Sequence, residues 1–217
     1  MNETLILDRS AAALYDAHGA RFVVRERRWV APTGAAAGRA IDPPGVRVSL
    51  AAAVGWLQRE SGHPLRAPIG VIGPRAATAE QLAVAEALGA ALAARGYVVV
   101  CGGREGVMEA VCRGVSAKGG VSIGLTPDTD PTLANPYAAI VLATGIGEAR
   151  NAVIARAAHC LVAVGDSHGT LSEVALGLHF GKRVIGLAGA AQRAGVEHAA
   201  STDEALARVD RAVLALG

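Results

Sequence analysis

From residue 68 onward, short apolar runs alternate with longer segments in which apolar residues recur at helical spacing. The runs have the length of strands buried on both faces, and the longer segments that of amphipathic helices. Because strand and helix follow one another at the spacing of right-handed βαβ crossovers, the pattern predicts an α/β fold: Rossmann-like, three-layered, with a doubly wound, mainly parallel sheet. The predicted strands are 68–73, 97–101, 121–125, 138–142, 160–164 and 184–187, and the predicted helices are 78–95, one ending at 118, 147–158, 169–180 and 202–216.

Residues 1–66 have a different pattern. They are predicted to form a small N-terminal appendage, a β-hairpin with a helix, beside a nucleotide-binding domain over 67–217. Glycine in the hairpin turn and a serine before the helix are typical of those positions. The predicted elements are a strand over 4–7, a hairpin of 12–16 with 21–30, a Pro/Gly-rich loop over 31–48 and a helix over 50–60 capped by Ser49.

Composition and charge limit the classes of partner that the sequence predicts. Apolar residues make up 52% of the chain and aromatic residues only 3%, so the core is predicted to consist of Ala, Val and Leu. A net charge of +2 is too weak to predict a nucleic-acid partner. Nearly all cations are arginines, which suit phosphate and carboxylate. Arg25, Arg27 and Arg28 lie close together, but strand alternation would divide them between two faces, so we interpret them as a solvated edge, with a ligand patch as the alternative.

The cysteines and the apolar runs predict a reduced, cytoplasmic protein. Cys101, Cys112 and Cys160 are odd in number, which argues against a disulfide framework. The chain has no CxxC motif and no His/Cys spacing that would predict a metal site. No signal segment and no apolar run long enough to span a bilayer is present, so we expect no membrane partner.

Three glycine-containing turns are predicted to converge where the order of strands reverses, beyond the strands' carboxyl ends. They are residues 73–75, 102–104 and 165–170. Backbone amides at the start of a helix attract anions, most often phosphate, and glycine allows a ligand to approach the backbone closely. For the glycine pair 102–103, a tight turn needed only for packing is the alternative. The Thr170 hydroxyl is a candidate donor to a phosphate oxygen.

Well-known nucleotide and cofactor signatures are missing. The first βα turn has no G-x-G-x-x-G, which argues against a dinucleotide site, and the chain has no P-loop sequence. The two lysines, Lys118 and Lys182, each end a predicted helix, where a Schiff base with pyridoxal phosphate is not expected. The sequence therefore predicts no required cofactor.

The stretch 150–187 resembles the signature region of the Lonely-guy (LOG) family, often misnamed lysine decarboxylases. The resemblance rests on Gly-Thr-x-x-Glu at 169–173 and on the upstream Arg150. It is strongest to a bacterial branch with versions of Cys-Gly-Gly-Arg-Glu-Gly-Val-Met-Glu-Ala at 101–110 and Ala-Asn-Pro-Tyr at 134–137. It covers residues 68–190. The implied catalytic residues are Arg150 and Glu173, and the implied ligand- or phosphate-binding residues are Gly73, Arg75, Gly102, Gly103, Arg104, Met108, Gly165, Asp166, Ser167, His168, Gly169 and Thr170.

LOG enzymes cleave the base from a nucleoside 5′-monophosphate, and the resemblance implies this phosphoribohydrolase activity. An ionised Glu173 would stabilise an oxocarbenium-like ribose or orient a water, and Arg150 would hold that carboxylate and the phosphate. A buried ion pair with a purely structural role is the alternative for these two residues. The turn departs from the family pattern at Asp166-Ser167-His168. A carboxylate in a phosphate-binding turn would repel the ligand.

A second function from another class remains open. Molybdenum-cofactor carrier proteins resemble the same branch, which implies a carrier that binds a phosphorylated pterin such as molybdenum cofactor, or a nucleotide, without turnover. The alanine-rich helices 147–158 and 169–180 leave apolar faces to cover and predict a homo-oligomer, a dimer or a tetramer.

Overall fold

The structure is a computed structural model that describes residues 4–33 and 43–217. It divides into two compact units, one comprising 1–66 with 210–217 and the other comprising 67–209.

The first unit contains an antiparallel five-stranded sheet and a helix. Ser49 caps that helix, since its Oγ accepts a hydrogen bond from the Ala52 amide at 3.2 Å. The C-terminal segment belongs to this unit, where the Trp29 indole donates to the Leu214 carbonyl at 2.7 Å. The elements are β1 (Leu5–Asp8), β2 (Ala13–Asp16), β3 (Arg21–Val23), β4 (Arg28–Val30), β5 (Val46–Val48) and α1 (Leu50–Arg59), with strand order β4-β3-β2-β1-β5.

Two predictions for this unit are wrong. Residues 21–30 form two strands, β3 and β4, because Arg27 adopts a φ of 51° and its amide bonds the Val24 carbonyl at 3.3 Å, which closes a turn. The predicted loop 31–48 contains β5, which pairs with β1. A three-residue strand between Gly45 and Ser49 is too short to show periodicity. The middle of that predicted loop, 34–42, lies outside the described residues.

The second unit contains a seven-stranded sheet in which each neighbouring pair is parallel. Its strands are β6 (Ile69–Ile72), β7 (Val99–Cys101), β8 (Ser122–Thr126), β9 (Ile140–Ala143), β10 (Leu161–Val164), β11 (Val184–Leu187) and β12 (Val196–His198). The helices are α2 (Ala79–Ala94), α3 (Val107–Ala117), α4 (Arg150–Ala157), α5 (His168–His179) and α6 (Thr202–Val213), with 3₁₀ turns at Pro131–Leu133 and Gly147–Ala149. The predicted Rossmann-like α/β fold is confirmed.

The strand order β12-β11-β10-β6-β7-β8-β9 places the reversal between β6 and β10. The chain proceeds outward from β6 to β9, and then crosses to β10 on the other side of β6. Helix α2 packs with α3, and α4 packs with α5. Ligands of doubly wound sheets bind beyond the carboxyl ends of the strands at such a reversal.

The core of the second unit is aliphatic, as the composition predicts. Strands β6, β10 and β11 are buried along their whole length. Side chains such as Ile72, Ile154 and Leu161 join strand and helix in one cluster. The strand β12 was not predicted, because its three half-buried residues, Val-Glu-His, resemble neither a buried run nor an alternating strand. In the described ranges, no helix combines the length and the apolar character needed to cross a membrane.

Candidate functional site

A cavity of about 640 Å³ lies at the reversal, where β6 and β10 end. The turns 73–76 and 166–170 form two of its walls, and the rest comes from the start of α3, the 3₁₀ turn Gly147–Ala149, the first turn of α4 and the N-terminal half of α5. It is lined by Gly73, Pro74, Arg75, Ala76, Met108, Glu148, Arg150, Asn151, Asp166, Ser167, His168, Gly169, Thr170, Ser172 and Glu173.

The N-terminus of α5 faces this cavity. Ser167 is its N-cap, and the Ser167 Oγ accepts a hydrogen bond from the Thr170 amide at 3.1 Å. The first amides of a helix have no acceptor inside the helix, so those of the residues after the cap are available to a ligand. The Thr170 hydroxyl lies 2.9 Å from the Ser167 Oγ, and Thr170 is only 2% exposed, so this hydroxyl also stabilises the turn.

Arg150, the first residue of α4, brings a buried positive charge to the cavity. Its side chain is 5% exposed. Within the described part of the chain, its Nε and Nη1 are buried without a hydrogen-bond acceptor. An unmatched buried charged donor is costly unless a partner supplies the missing bonds. The position of Arg150 therefore favours an anion as that partner.

Gly102 makes room for this guanidinium. A Cβ added at Gly102 would lie 2.2 Å from Nη1 of Arg150 and 2.6 Å from Sδ of Met108. The alternatives for the 102–103 turn were close approach of a ligand and packing alone. At Gly102 the close approach is to the side chain of Arg150, which lines the cavity. Gly103 has a φ of 70°, a conformation that glycine adopts without strain.

Glu173 lies beside Arg150, with Oε1 3.7 Å from Nη1. The carboxylate is 7% exposed, and burial raises the pKa of Glu173 to about 8, although the Arg150 charge lowers it. Glu148, which also lines the cavity, raises the same pKa further. Desolvation outweighs the ion pair because 3.7 Å exceeds the length of a charge-assisted hydrogen bond. At neutral pH, Glu173 is mainly a neutral carboxylic acid.

The structure places most of the predicted residues on the cavity wall. Asp166, His168 and Arg75 are exposed there, and Met108 is 5% exposed. The predicted residues Gly102, Gly103, Arg104 and Gly165 lie outside the lining. Arg104 instead donates to Asp128 Oδ2 at 2.6 Å.

That ion pair changes the interpretation of two motifs. Asp128 lies in the loop that follows β8. Asn135, from the Ala-Asn-Pro-Tyr motif, donates from its backbone to the Gly103 carbonyl at 2.8 Å and from its side chain to the Arg104 carbonyl at 3.2 Å. The motif therefore holds the 102–104 turn in place.

Sequence reasoning did not identify four lining residues: Ala76, Glu148, Asn151 and Ser172. Asn151 follows Arg150, and Ser172 lies inside the Gly-Thr-x-x-Glu motif, so both positions were adjacent to recognised residues. The Asn151 Nδ2 donates to the Ser172 Oγ at 2.7 Å. The Asn151 Oδ1 is buried without a donor among the described residues.

Residues 4–33 and 43–217 contain no group of three or more His, Cys, Asp or Glu side chains arranged to hold a metal ion. The three cysteines are buried and form no disulfide within the described ranges, and the Cys101 and Cys112 sulfurs lie 3.6 Å apart.

The fold is that of a Rossmann-like ligand-binding protein, and it has a cavity at the strand reversal. The chain belongs to the SLOG cluster4 family, whose model matches residues 66–214. The predicted resemblance to LOG-type proteins is confirmed at that level. The residues before 66 lie outside the match.

Individual relatives support the same grouping. A protein of Archaeoglobus fulgidus is 40% identical over 119 residues, which are 55% of this chain and 78% of that protein. The molybdenum cofactor binding protein from Rippkaea orientalis is 33% identical, with a TM-score of 0.63 over 67% of this chain and 96% of that chain. The molybdenum cofactor carrier protein from Chlamydomonas reinhardtii is 34% identical, with a TM-score of 0.62 over 67% of this chain and 98% of that one.

Proposed function

We propose that this protein binds a small phosphate-bearing heterocycle, a phosphorylated pterin or a nucleotide, in the cavity at the strand reversal and releases it unchanged. The observation that carries the proposal is the buried Arg150, whose Nε and Nη1 lack an acceptor among the described residues. A phosphate beside Arg150 and the first amides of α5 would gain charge-assisted hydrogen bonds.

The cavity also suits the heterocycle. Its volume of about 640 Å³ lies within the range of sites that enclose small ligands. The Asn151 Oδ1 is a buried acceptor that a ring N–H or amino group would satisfy. Pterins and nucleobases both present such donors. The relatives that bind or carry molybdenum cofactor favour a pterin as the first ligand to test.

Release without turnover is favoured by the state of Glu173. Stabilising an oxocarbenium-like ribose requires a carboxylate anion. Burial raises the pKa of Glu173 to about 8, which leaves the carboxyl mainly protonated at neutral pH. A protonated Glu173 is instead a hydrogen-bond donor to the ligand.

Mass spectrometry of the protein purified from its native host tests the proposal. We expect a phosphorylated pterin or nucleotide to be released intact on denaturation, and to be absent from the Arg150→Gln variant. Arg193→Gln is the matched control, because Arg193 is exposed and lies outside the cavity lining. Equal occupancy in the wild-type protein and in Arg150→Gln would refute the assignment of Arg150.

Hydrolysis of a nucleoside 5′-monophosphate is the second candidate, favoured by the 3.7 Å pairing of Arg150 and Glu173 on the cavity wall. In that reaction the bond between ribose C1′ and the base nitrogen breaks, a water oxygen bonds to C1′, and a proton of that water passes to the departing base. Incubation with a panel of monophosphates distinguishes the two functions. Release of free base that Glu173→Gln abolishes while ligand binding persists would establish the hydrolase.

A further inference from the structure

A second cavity, of about 360 Å³, lies in the first unit, and the described residues that line it include no acidic one. One wall is the turn between β3 and β4, which contributes Arg25 and Arg27. The other wall is the segment after α1, which contributes His63 and Arg66. Three arginines and a histidine therefore meet around one depression.

Among the described residues, two of the three arginines of this cavity have no acidic partner. In the part of the chain that the structure describes, the guanidinium groups of Arg25 and Arg66 form no ion pair. The acidic side chains closest in sequence are engaged elsewhere. Arg28 donates from Nε to the Glu26 Oε2 at 2.6 Å, and Glu60 pairs with Arg9.

Both walls are positioned by local hydrogen bonds. The Arg27 amide donates to the Val24 carbonyl at 3.3 Å, and Arg27 has a φ of 51°, so the turn is tight. On the opposite wall, Ser61 Oγ donates to the Leu57 carbonyl at 2.6 Å and accepts from the His63 amide at 3.1 Å. Such support reduces the ordering that a ligand must impose when it binds.

We infer that this cavity is a second anion site, which binds the polyphosphate group of a small molecule. Guanidinium groups form paired hydrogen bonds with phosphate oxygens, and their mutual repulsion is relieved by an anion between them. The volume of about 360 Å³ equals on the order of ten water molecules, which is more than a single phosphate fills. Except for Arg66, the lining residues of this cavity precede the segment that matches the family.

Calorimetric titration of the full chain with pyrophosphate and with ATP tests the inference. The Arg150→Gln background weakens the first site, so the remaining binding reports on the second. We expect one site that binds both probes at low ionic strength. Adding Arg25→Gln and Arg66→Gln should weaken it by at least about tenfold. Arg47→Gln is the matched control, because Arg47 is an exposed arginine of β5 outside the cavity, and it should alter the affinity by less than about twofold.

The outcomes separate the sources of the phosphate. Equal affinity for the two probes assigns the site to a polyphosphate group alone, and tighter binding of ATP assigns it to a nucleotide. No binding of either probe at millimolar concentration overturns the inference, as does an equal loss in Arg47→Gln. A single-stranded oligonucleotide that displaces ATP and depends on the same arginines with higher affinity would show a nucleic-acid surface instead. Unchanged circular dichroism spectra check that each variant is folded.

Discussion

The guanidinium of Arg150 occupies the space that a side chain at Gly102 would fill, since an added Cβ would lie 2.2 Å from its Nη1. The two residues are far apart in sequence and belong to different motifs. Their contact joins the glycine turn after β7 to the arginine at the start of α4. It explains why a glycine outside the cavity lining matters for the cavity.

Gly102→Ala should weaken ligand binding more than it weakens the fold. The added methyl group meets the ends of two flexible side chains, those of Arg150 and Met108, so both move aside at little cost to folding, but the Arg150 guanidinium leaves the cavity wall. We expect the affinity for a nucleoside 5′-monophosphate to fall by at least about tenfold, and the free energy of unfolding to change by about 1 kcal/mol or less. Titration calorimetry and urea unfolding measure the two effects.

Gly55→Ala is the control for that variant, because a Cβ at Gly55, inside α1, meets no atom within 4 Å. It should leave the affinity unchanged and stabilise the helix slightly. If Gly102→Ala binds the ligand as tightly as the wild-type protein, Arg150 does not act from the position described.

The stability of the protein should depend on pH through Glu173. Its pKa is about 8 in the folded protein, above the ordinary value of 4.5. The folded state therefore retains a proton that the unfolded chain releases, and the resulting stability is complete below pH 4.5 and is lost as the pH rises through 8. We expect the contribution of this group to fall by up to about 1.4 kcal/mol per pH unit inside that window.

Urea unfolding at several pH values between about 5 and 8 measures this slope. Glu173→Gln should remove the contribution, whereas Glu105→Gln, which changes an exposed glutamate outside the cavity, should retain it. Identical slopes in the wild-type protein and Glu173→Gln would show that Glu173 ionises normally.

Asp166 is the carboxylate that opposes a phosphate in the first cavity. It is exposed on the wall, directly before the N-cap of α5. Asp166→Gly should tighten the binding of a nucleoside 5′-monophosphate by about 1 kcal/mol at low ionic strength, and added salt should reduce the gain by screening. Titration calorimetry at two salt concentrations checks both effects. Asp203→Asn, an exposed aspartate in α6, is expected to have no effect on affinity.

A weaker affinity of Asp166→Gly for the ligand would also be informative. If Asp166 accepts hydrogen bonds from a ribose or a pterin, its removal weakens binding by about 1–3 kcal/mol. An unchanged affinity would mean that this departure from the family pattern has no role in binding.

Exposed apolar side chains on the second unit predict a homo-oligomer. Ile140 and Leu142 on the edge strand β9 are 45% and 50% exposed, and Ile146 and Val153 near α4 are 51% and 43% exposed. Such a surface on one part of a protein is typical of an interface. Light scattering should give a dimer or a larger assembly, and Leu142→Glu should shift it toward the monomer.

Val46→Glu is the matched control for assembly. Val46 is 60% exposed on the edge strand β5, outside that surface, and its replacement should leave the molar mass unchanged. A wild-type protein that is monomeric at micromolar concentration would contradict the predicted interface.

The sequence by itself determined the architecture of the second unit. Strands such as β6 and β10 are continuous apolar runs, and α2 and α5 begin at residues that cap a helix, Thr78 and Ser167. These signals are local, because burial on both faces and capping each depend on a few neighbouring residues. The alternation of such elements was enough to predict a doubly wound sheet and the place of its cavity.

Only the tertiary structure decided which groups meet, and in what charge state. The strands β5 and β12 exist because an edge of a sheet is available to pair with them, and no pattern within three residues reveals that. The separation of Arg104 from the cavity depends on Asp128, and the place of Arg150 depends on Gly102. The neutral state of Glu173 follows from its burial, and the basic cavity follows from bringing the β3–β4 turn to residues 62–66. Contacts and desolvation arise when residues that are distant in sequence come together, so they are not predicted by periodicity along the chain.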